Sequence, residues 1–349
     1  MKLNYGCLSD GRQTNLYQLN NHNGMQVSVL DYGAKLVSVV VPDKNGQPVD
    51  VVLGYANAAD YENNKGMLGA SVGPNCNRIK GAEAKIDGHV YQLEKNNGNN
   101  NLHTGKNGIH NKLFKVTDVT ESGITLSCQC HENETGLPGN VEVEIQYVLG
   151  EDNTLKVIYR AKTDAKTLVN ITNHSYFNLN GHKNKNAMNQ YLLIDTDRYT
   201  PIDQEGVPTG EICSVEGTPF DFRTFQPIED KLKIESEQLT YGSGFDHNYL
   251  FLEDGGTMKE SRVVVSAYAK ESGIRMDLAT NAGALQLYTA NHIAPHEGKD
   301  KVVYQSRAAF CLEPHSVPDA IHMEQFETPY VNPGEIKERV ISYHFSIQA

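Results

Sequence analysis

Short apolar runs, many of them alternating with polar residues, follow one another along the chain and are interrupted by Gly, Asn, Asp or Pro. Alternation with period two is typical of β-strands, whereas amphipathic helices repeat every 3.6 residues, a period that is almost absent from this sequence. The dipeptides Asn45-Gly46 and Asp87-Gly88 lie between successive runs and supply the positive φ angles that tight turns require. The predicted strands are residues 37–41, 49–53, 84–86, 89–91, 123–130, 141–149, 155–161, 169–172, 191–195, 262–268, 274–280, 285–289, 309–312 and 339–345.

Helical segments are predicted to be few and short, at residues 58–61 and 228–237. Because long helices do not separate successive strands, a parallel βαβ sheet is disfavoured and antiparallel sheets packed face to face are favoured. We therefore predict an all-β fold, a large antiparallel β-sandwich with few short helices. The length of 349 residues allows one or two domains. Since no linker or internal repeat divides the chain, a single domain over residues 1–349 is the prediction.

Composition excludes several classes of protein. With 31 Lys plus Arg against 43 Asp plus Glu, the net charge is −12, and the basic face of a nucleic-acid-binding protein is not expected. No apolar stretch approaches the length of a membrane span, and the first residues lack the features of a signal peptide, so we predict no membrane partner and a cytoplasmic location. Six cysteines spread over the whole chain favour free thiols in a reducing compartment.

Three segments contain residues suited to catalysis on a small molecule. His103 lies in a glycine-containing loop at 101–105, where a lone histidine is most often a surface residue. His174 follows an apolar run and is crowded by Tyr, Phe and Asn side chains. Glu313 ends another apolar run, so its carboxylate is either desolvated and held for a purpose or simply emerges at the strand end. The Asn-rich stretch at 96–101 is interpreted as a solvated loop.

Two patterns of metal-ligating residues are interpreted as structural. His292 and His296 are four residues apart, but Pro295 interrupts the helix that would place both on one face. Cys128 and Cys130 have no second cysteine pair at the spacing of a metal site. The sequence also lacks a phosphate-binding glycine loop and a dinucleotide fingerprint. We predict neither a metal nor a nucleotide cofactor.

Ordered motifs along nearly the whole chain resemble the aldose 1-epimerase (galactose mutarotase) family. Each motif is short, and the most specific is the string NITNHSYFNL at 170–179. The other motifs are DYGA at 31–34, VPD at 41–43, VLGY at 52–55, NRI at 77–79, NLH at 101–103, PTGE at 208–211, PFDFR at 219–223, DHN at 246–248, LQLYT at 285–289, LEP at 312–314 and PDA at 318–320.

The resemblance implies a cofactor-independent isomerase that opens and recloses a sugar ring. Opening the cyclic hemiacetal removes the proton of the C1 hydroxyl and delivers a proton to the ring oxygen, and rotation about C1–C2 then exposes the other aldehyde face. By this resemblance, Glu313 is the catalytic base and His174, expected to be easily charged beside carboxylates, is the catalytic acid. The implied substrate-binding residues are Arg78, whose planar fork suits adjacent hydroxyls, together with His103, Asp246, Gln286 and, more weakly, Asn77.

Departures from the family pattern leave the preferred sugar open among free aldohexoses such as galactose and glucose. Gly73 is followed by Pro74 where many members have Arg, Thr104 stands where paired glycines are common, and the chain contains no Trp, so that stacking on a sugar is expected from Tyr or Phe. Two alternatives remain. A hexose-6-phosphate 1-epimerase would need clustered arginine, and a non-catalytic carbohydrate-binding protein would need no paired acid and base. The sequence is compatible with a monomer or a homodimer.

Overall fold

The computed structural model describes residues 1–63 and 66–348, and β-strands are its main regular element. Within this part of the chain, α-helix is limited to four short segments, Ala58–Glu62, Glu132–Thr135, Ile228–Leu232 and Glu237–Tyr241. Single 3₁₀ turns occur at Lys80–Ala82, Gly105–Asn107, Ile109–Asn111, Lys299–Lys301 and Ala320–His322. No described helix is long and apolar enough to cross a bilayer. The predicted all-β fold with few short helices is confirmed.

The largest sheet has nine strands, and every neighbouring pair in it is antiparallel. Buried and more exposed residues alternate along its central strands, so that one face packs on the core. Its strands, in spatial order, are Lys115–Val119, Gly123–Cys130, Val141–Leu149, Thr154–Thr163, Lys337–Ile347, Ile274–Ala282, Thr257–Tyr268, Tyr191–Ile194 and Gln226–Pro227.

Two further sheets complete the sandwich, and both are antiparallel throughout. One continuous cluster of buried side chains joins all three sheets, for example through Val27, Val143 and Leu285. The five-stranded sheet has the order Lys2–Cys7, Gln13–Asn20, Gln26–Leu30, Lys35–Pro42 and Pro48–Asp50. The six-stranded sheet has the order Tyr176–Phe177, Phe310–His315, Ala284–Tyr288, Asp246–Leu250, Arg198–Thr200 and Cys213–Ser214.

Short two-stranded pairs connect these sheets and carry several of the residues singled out in the sequence. The hairpin with Asp87-Gly88 forms as predicted, with positive φ at both turn residues. The pairs are Ala70–Val72 with Thr172–His174, Arg78–Ile79 with Asn101–Leu102, Glu83–Ile86 with His89–Gln92, Thr167–Leu168 with Tyr330–Val331, and His296–Glu297 with Val303–Tyr304.

Two predicted elements are wrong in detail. The strand at 169–172 is replaced by the short strands Thr167–Leu168 and Thr172–His174, because Asn170 leaves the ladder to hydrogen bond with the backbone of Pro74, Cys76 and Ser316. The helix at 228–237 is broken, since Ser236 adopts an extended backbone (φ −157°, ψ 130°) before the second helix.

The three N-terminal strands were not predicted. Lys2–Cys7 is mostly solvent-exposed, whereas Gln13–Asn20 and Gln26–Leu30 carry buried apolar residues and were missed all the same.

Candidate active site

Separate strands and loops bring most of the predicted site residues to one cavity of about 470 Å³. His174 ends the strand Thr172–His174, Asp246 begins Asp246–Leu250, and Glu313 lies in Phe310–His315. The predicted residues that line the cavity are Asn77, Arg78, His103, His174, Asp246 and Glu313.

The residues His174 and Glu313 face each other at the bottom of this cavity. The His174 Nε2 and Glu313 Oε1 atoms are 3.7 Å apart, and the two residues are only 7% and 3% exposed. Alternation along the strand puts Leu312 in the core and Glu313 on the opposite face, toward the cavity. This separation is longer than an ordinary hydrogen bond, so the two side chains lie close together but are not hydrogen-bonded to each other.

Burial moves the pKa values of the two groups toward their neutral forms. Loss of hydration lowers the pKa of His174 from 6.5 to about 4, outweighing the opposing effects of its own backbone and of the Asp246 charge. Burial, reinforced by Asp246, raises the pKa of Glu313 well above 4.5 against the opposing charge of Arg78. The expectation that carboxylates keep His174 charged is therefore wrong for the sugar-free cavity.

The guanidinium of Arg78 is held from its edge and from its face. Its Nε donates a hydrogen bond to Asn97 Oδ1 (3.0 Å), and its Nη2 lies 3.5 Å from Asp246 Oδ2. Gly206, with φ of +76°, lies against the guanidinium so closely that an added Cβ would be 3.0 Å from Cζ of Arg78. Asn97, Asp246 and Gly206 together fix the plane of the Arg78 guanidinium, which borders the cavity.

A reciprocal pair of hydrogen bonds fixes His103. The backbone N–H of Asn77 donates to His103 Nδ1 (3.0 Å), and the backbone N–H of His103 donates to the Asn77 carbonyl (3.0 Å). Burial, together with the nearby His174, holds the pKa of His103 well below 6.5. Because Nδ1 accepts a hydrogen bond, the neutral ring carries its proton on Nε2 and is a hydrogen-bond donor there.

Gln286 lies beneath the site and does not line the cavity. Its Nε2 donates to Asp246 Oδ1 (2.8 Å), it is 3% exposed, and it stands opposite Glu313 in the register of the two strands. The Asp246 carboxylate is thus held by Gln286 through one oxygen and faces Arg78 with the other. Gln286 therefore contacts a cavity residue, and its direct contact with substrate stays a prediction.

Thr104, which departs from the family pattern, ties the His103 loop to the neighbouring segment. Its hydroxyl donates to the Asn75 carbonyl (2.9 Å) and accepts from the Asn75 backbone N–H (3.0 Å). Thr104 is not among the described residues that line the cavity. Its hydroxyl supports the loop geometry from behind.

Comparison with known proteins agrees with this geometry. The sequence profile of the family described as aldose 1-epimerase matches residues 15–344. An aldose 1-epimerase of Escherichia coli strain K12 is 31% identical over 338 residues, which is 96% of each chain. A galactose mutarotase of Bos taurus is 34% identical over 324 residues, covering 93% of this chain and 92% of that protein.

The chain belongs to the aldose 1-epimerase family. Solved structures agree with the assignment. An aldose epimerase homologue from C. elegans superimposes with a TM-score of 0.88 at 26% identity, covering 96% of this chain and 100% of that one. A galactose 1-epimerase from Lactobacillus acidophilus superimposes with a TM-score of 0.84 at 25% identity, covering 100% and 99%. The predicted family is confirmed, and the protein is an isomerase of the mutarotase type that acts on a small-molecule sugar.

Several residues around the epimerase cavity were missed by the sequence analysis. The ring of His174 stacks on Tyr176 (centroids 5.0 Å apart, 21° between planes) and meets the edge of Tyr288 (6.1 Å, 77°). Both tyrosines lie inside the family motifs, so their position in those strings was an available signal. Asn97 was assigned to a solvated loop, and Gly206 carried no sequence signal, because their contacts with Arg78 are long-range.

Proposed function

We propose that this epimerase interconverts the α and β anomers of free aldohexoses, with galactose and glucose as substrates. The observation that carries the proposal is the facing pair of His174 and Glu313, 3.7 Å apart, in a cavity bordered by Arg78 and Asp246. An acid and a base at this spacing can serve the C1 hydroxyl and the ring oxygen of one sugar, which are bonded to the same carbon.

The proposed reaction opens and recloses the ring at one carbon. Glu313 takes the proton of the C1 hydroxyl while His174 delivers a proton to the ring oxygen, so that the C1–O bond of the ring breaks and an aldehyde forms. Rotation about C1–C2 and exchange of the two roles recloses the ring with the other anomeric configuration. The assignment requires an ionised Glu313 and a protonated His174 when sugar occupies the cavity, whereas burial in the sugar-free cavity favours the neutral form of each. Because the proton is returned at closure, the cycle needs no cofactor.

Substrate binding is assigned to the groups around the pair. We propose that Arg78, His103, Asp246 and, more weakly, Asn77 hydrogen bond to sugar hydroxyls, and that Gln286 holds Asp246 in position. Arg78 offers a planar fork, His103 a neutral N–H, and Asp246 an acceptor. Tyr176 and Tyr288 add aromatic surface in a chain without Trp.

A hexose-6-phosphate substrate is less well supported. Among the described residues that line the cavity, Arg78 is the only Lys or Arg, and its guanidinium already faces Asp246. A phosphate group in such a site would lack the multiple cationic donors that usually bind it. A purely sugar-binding role would leave the buried pair His174 and Glu313 without a purpose. A single domain over residues 1–349, a cytoplasmic location and a monomeric or homodimeric state remain further proposals.

Polarimetry on freshly dissolved α-galactose and α-glucose tests the proposal. We expect rapid decay of optical rotation with both free sugars and much slower decay with their 6-phosphates, each after subtraction of a control without enzyme, since buffer ions catalyse mutarotation. Glu313→Gln keeps the size of the side chain but removes the base, so kcat should fall by roughly 10²- to 10⁴-fold. A folded Glu313→Gln variant with wild-type turnover would contradict the mechanism, and preference for the 6-phosphates would contradict the substrate.

A further inference from the structure

A third group that can ligate a metal lies beside the acid–base pair. Cys311 precedes Glu313 by two residues on the strand Phe310–His315, and alternation along the strand gives both side chains the same face. A ring nitrogen of His174, Sγ of Cys311 and a carboxylate oxygen of Glu313 all lie within 4.8 Å of one another. Cys311 is fully buried and has no part in the proton transfers described above.

The spacing of these atoms is close to that of a tetrahedral zinc site. Bond lengths of about 2.0 to 2.3 Å around Zn²⁺ place neighbouring ligand atoms roughly 3.3 to 3.8 Å apart. His174 and Glu313 already meet this spacing at 3.7 Å. The remaining separations, at most 4.8 Å, close by side-chain movements of about 1 Å.

The ligand chemistry selects borderline-soft cations. A nitrogen, a sulfur and an oxygen donor suit Zn²⁺ or Cd²⁺, whereas Mg²⁺ and Ca²⁺ prefer oxygen donors alone. On binding, the Cys311 thiol and the Glu313 carboxyl release their protons to solvent. The resulting thiolate and carboxylate together neutralise a divalent charge, which matters because all three ligands are buried. Three protein ligands leave a fourth position for water, and the cavity that His174 and Glu313 line provides the entry path.

We propose that Zn²⁺, or another borderline-soft divalent cation, binds across His174, Cys311 and Glu313 and inhibits the epimerase. The bound metal occupies the lone pairs of His174 and Glu313 that the sugar reaction uses for proton transfer. Binding of the metal and binding of the sugar are therefore competitive. The binding site stands on the geometry alone, and only the inhibition rests on the proposed function. This is an inhibitory site, distinct from a catalytic metal centre.

Direct binding experiments on the full chain test the site. Co²⁺, used as a spectroscopic substitute for Zn²⁺, should give a thiolate-to-cobalt charge-transfer band with wild-type protein. Cys311→Ala should lose that band and weaken Zn²⁺ binding in calorimetry by at least tenfold. Cys76→Ala is the matched control, because Cys76 is equally buried but lies outside the three-ligand group, and it should bind Zn²⁺ like the wild type. Excess galactose should lower the apparent Zn²⁺ affinity of the wild type.

The outcomes separate this inference from the proposed function. Equal Zn²⁺ affinity in Cys311→Ala and Cys76→Ala, or no saturable binding to wild type, overturns the site even if epimerase activity is normal. Zn²⁺ binding that depends on Cys311 in a protein without mutarotase activity supports the site and refutes the function. If Cys311→Ala melts early, Cys311→Ser and His174→Gln replace it, and the same loss of affinity is required of both.

Discussion

The pH dependence of kcat/KM tests the buried acid–base pair most directly, because it reflects ionisations of the free enzyme. Burial lowers the pKa of His174 from 6.5 to about 4, a cost to the charged form of about 3 kcal/mol at 1.36 kcal/mol per pKa unit. Burial raises the pKa of Glu313 well above 4.5. The ring of His174 becomes charged only below its lowered pKa, so we expect its limb in the profile near pH 4 and none from His174 near pH 6.5.

Ordinary pKa values predict a different profile. If Glu313 titrated near 4.3 and His174 near 6.5, kcat/KM at pH 7.5 would lie about tenfold below its maximum. With its pKa lowered to about 4, His174 does not titrate near pH 6.5, so no decline centred there is expected from this residue.

Polarimetry at constant ionic strength, in weakly catalytic buffers and with the spontaneous rate subtracted at each pH, measures the profile. Asn97→Ala is the control for the acid limb, because it leaves His174 in place and Arg78 does not contribute to the pKa shift of His174, so its acid limb should coincide with that of the wild type. Thermal melting at each pH must show a folded enzyme. A decline of kcat/KM centred near pH 6.5 would refute the reasoning from burial.

Three further outcomes are expected. Arg78→Lys keeps the positive charge but loses the planar guanidinium. Steady-state kinetics should therefore show a rise in KM of roughly tenfold and a smaller change in kcat. Unchanged kinetics would place Arg78 outside the site. Asn97→Ala removes one hydrogen bond to the partly exposed guanidinium of Arg78, worth about 1 kcal/mol, and should raise KM about fivefold. An effect confined to kcat would contradict a positioning role for Asn97. Thermal melting should show a histidine contribution to stability that is complete above pH 6.5. This contribution falls as the pH is lowered, by up to about 1.4 kcal/mol per pH unit for each histidine whose pKa burial lowers. Stability that stays constant from pH 6.5 to 5 would show that these groups are not buried in the neutral form. The histidines are His103, His110, His174, His182, His247 and His315.

Much of the sandwich could be predicted from hydrophobic alternation, since strands such as Gly123–Cys130 and Val141–Leu149 carry a clear period of two and have the predicted bounds. The strand Lys2–Cys7 was missed although Leu3, Tyr5 and Cys7 alternate along it, and in the fold it is a mostly exposed edge strand. The helix at 228–237 was overextended because its local pattern does not reveal the extended residue Ser236.

The sequence predicted the site residues that lie inside motifs, but not the residues that join the site through contacts between distant segments. The motifs led to His174 and Glu313, and the structure brings them face to face. Asn97 and Gly206 meet Arg78 only after distant loops converge, so no local pattern marks them. The direction of the His174 pKa shift was also beyond sequence reasoning, because it depends on how completely the fold excludes water from that ring.

The strand Phe310–His315 is buried along its whole length, with Phe310 and Leu312 in the core and Glu313 at the cavity. The proposed base lies in the same rigid strand as two core residues, so its position depends directly on how the core is packed. A change of core volume such as Leu312→Ala is therefore transmitted to the position of Glu313, although Leu312 lies on the other face of the strand. Substitutions that alter sugar preference are therefore expected in the loops that carry Asn97 and His292 and not in this strand. In those loops, side chains can change without repacking the interior.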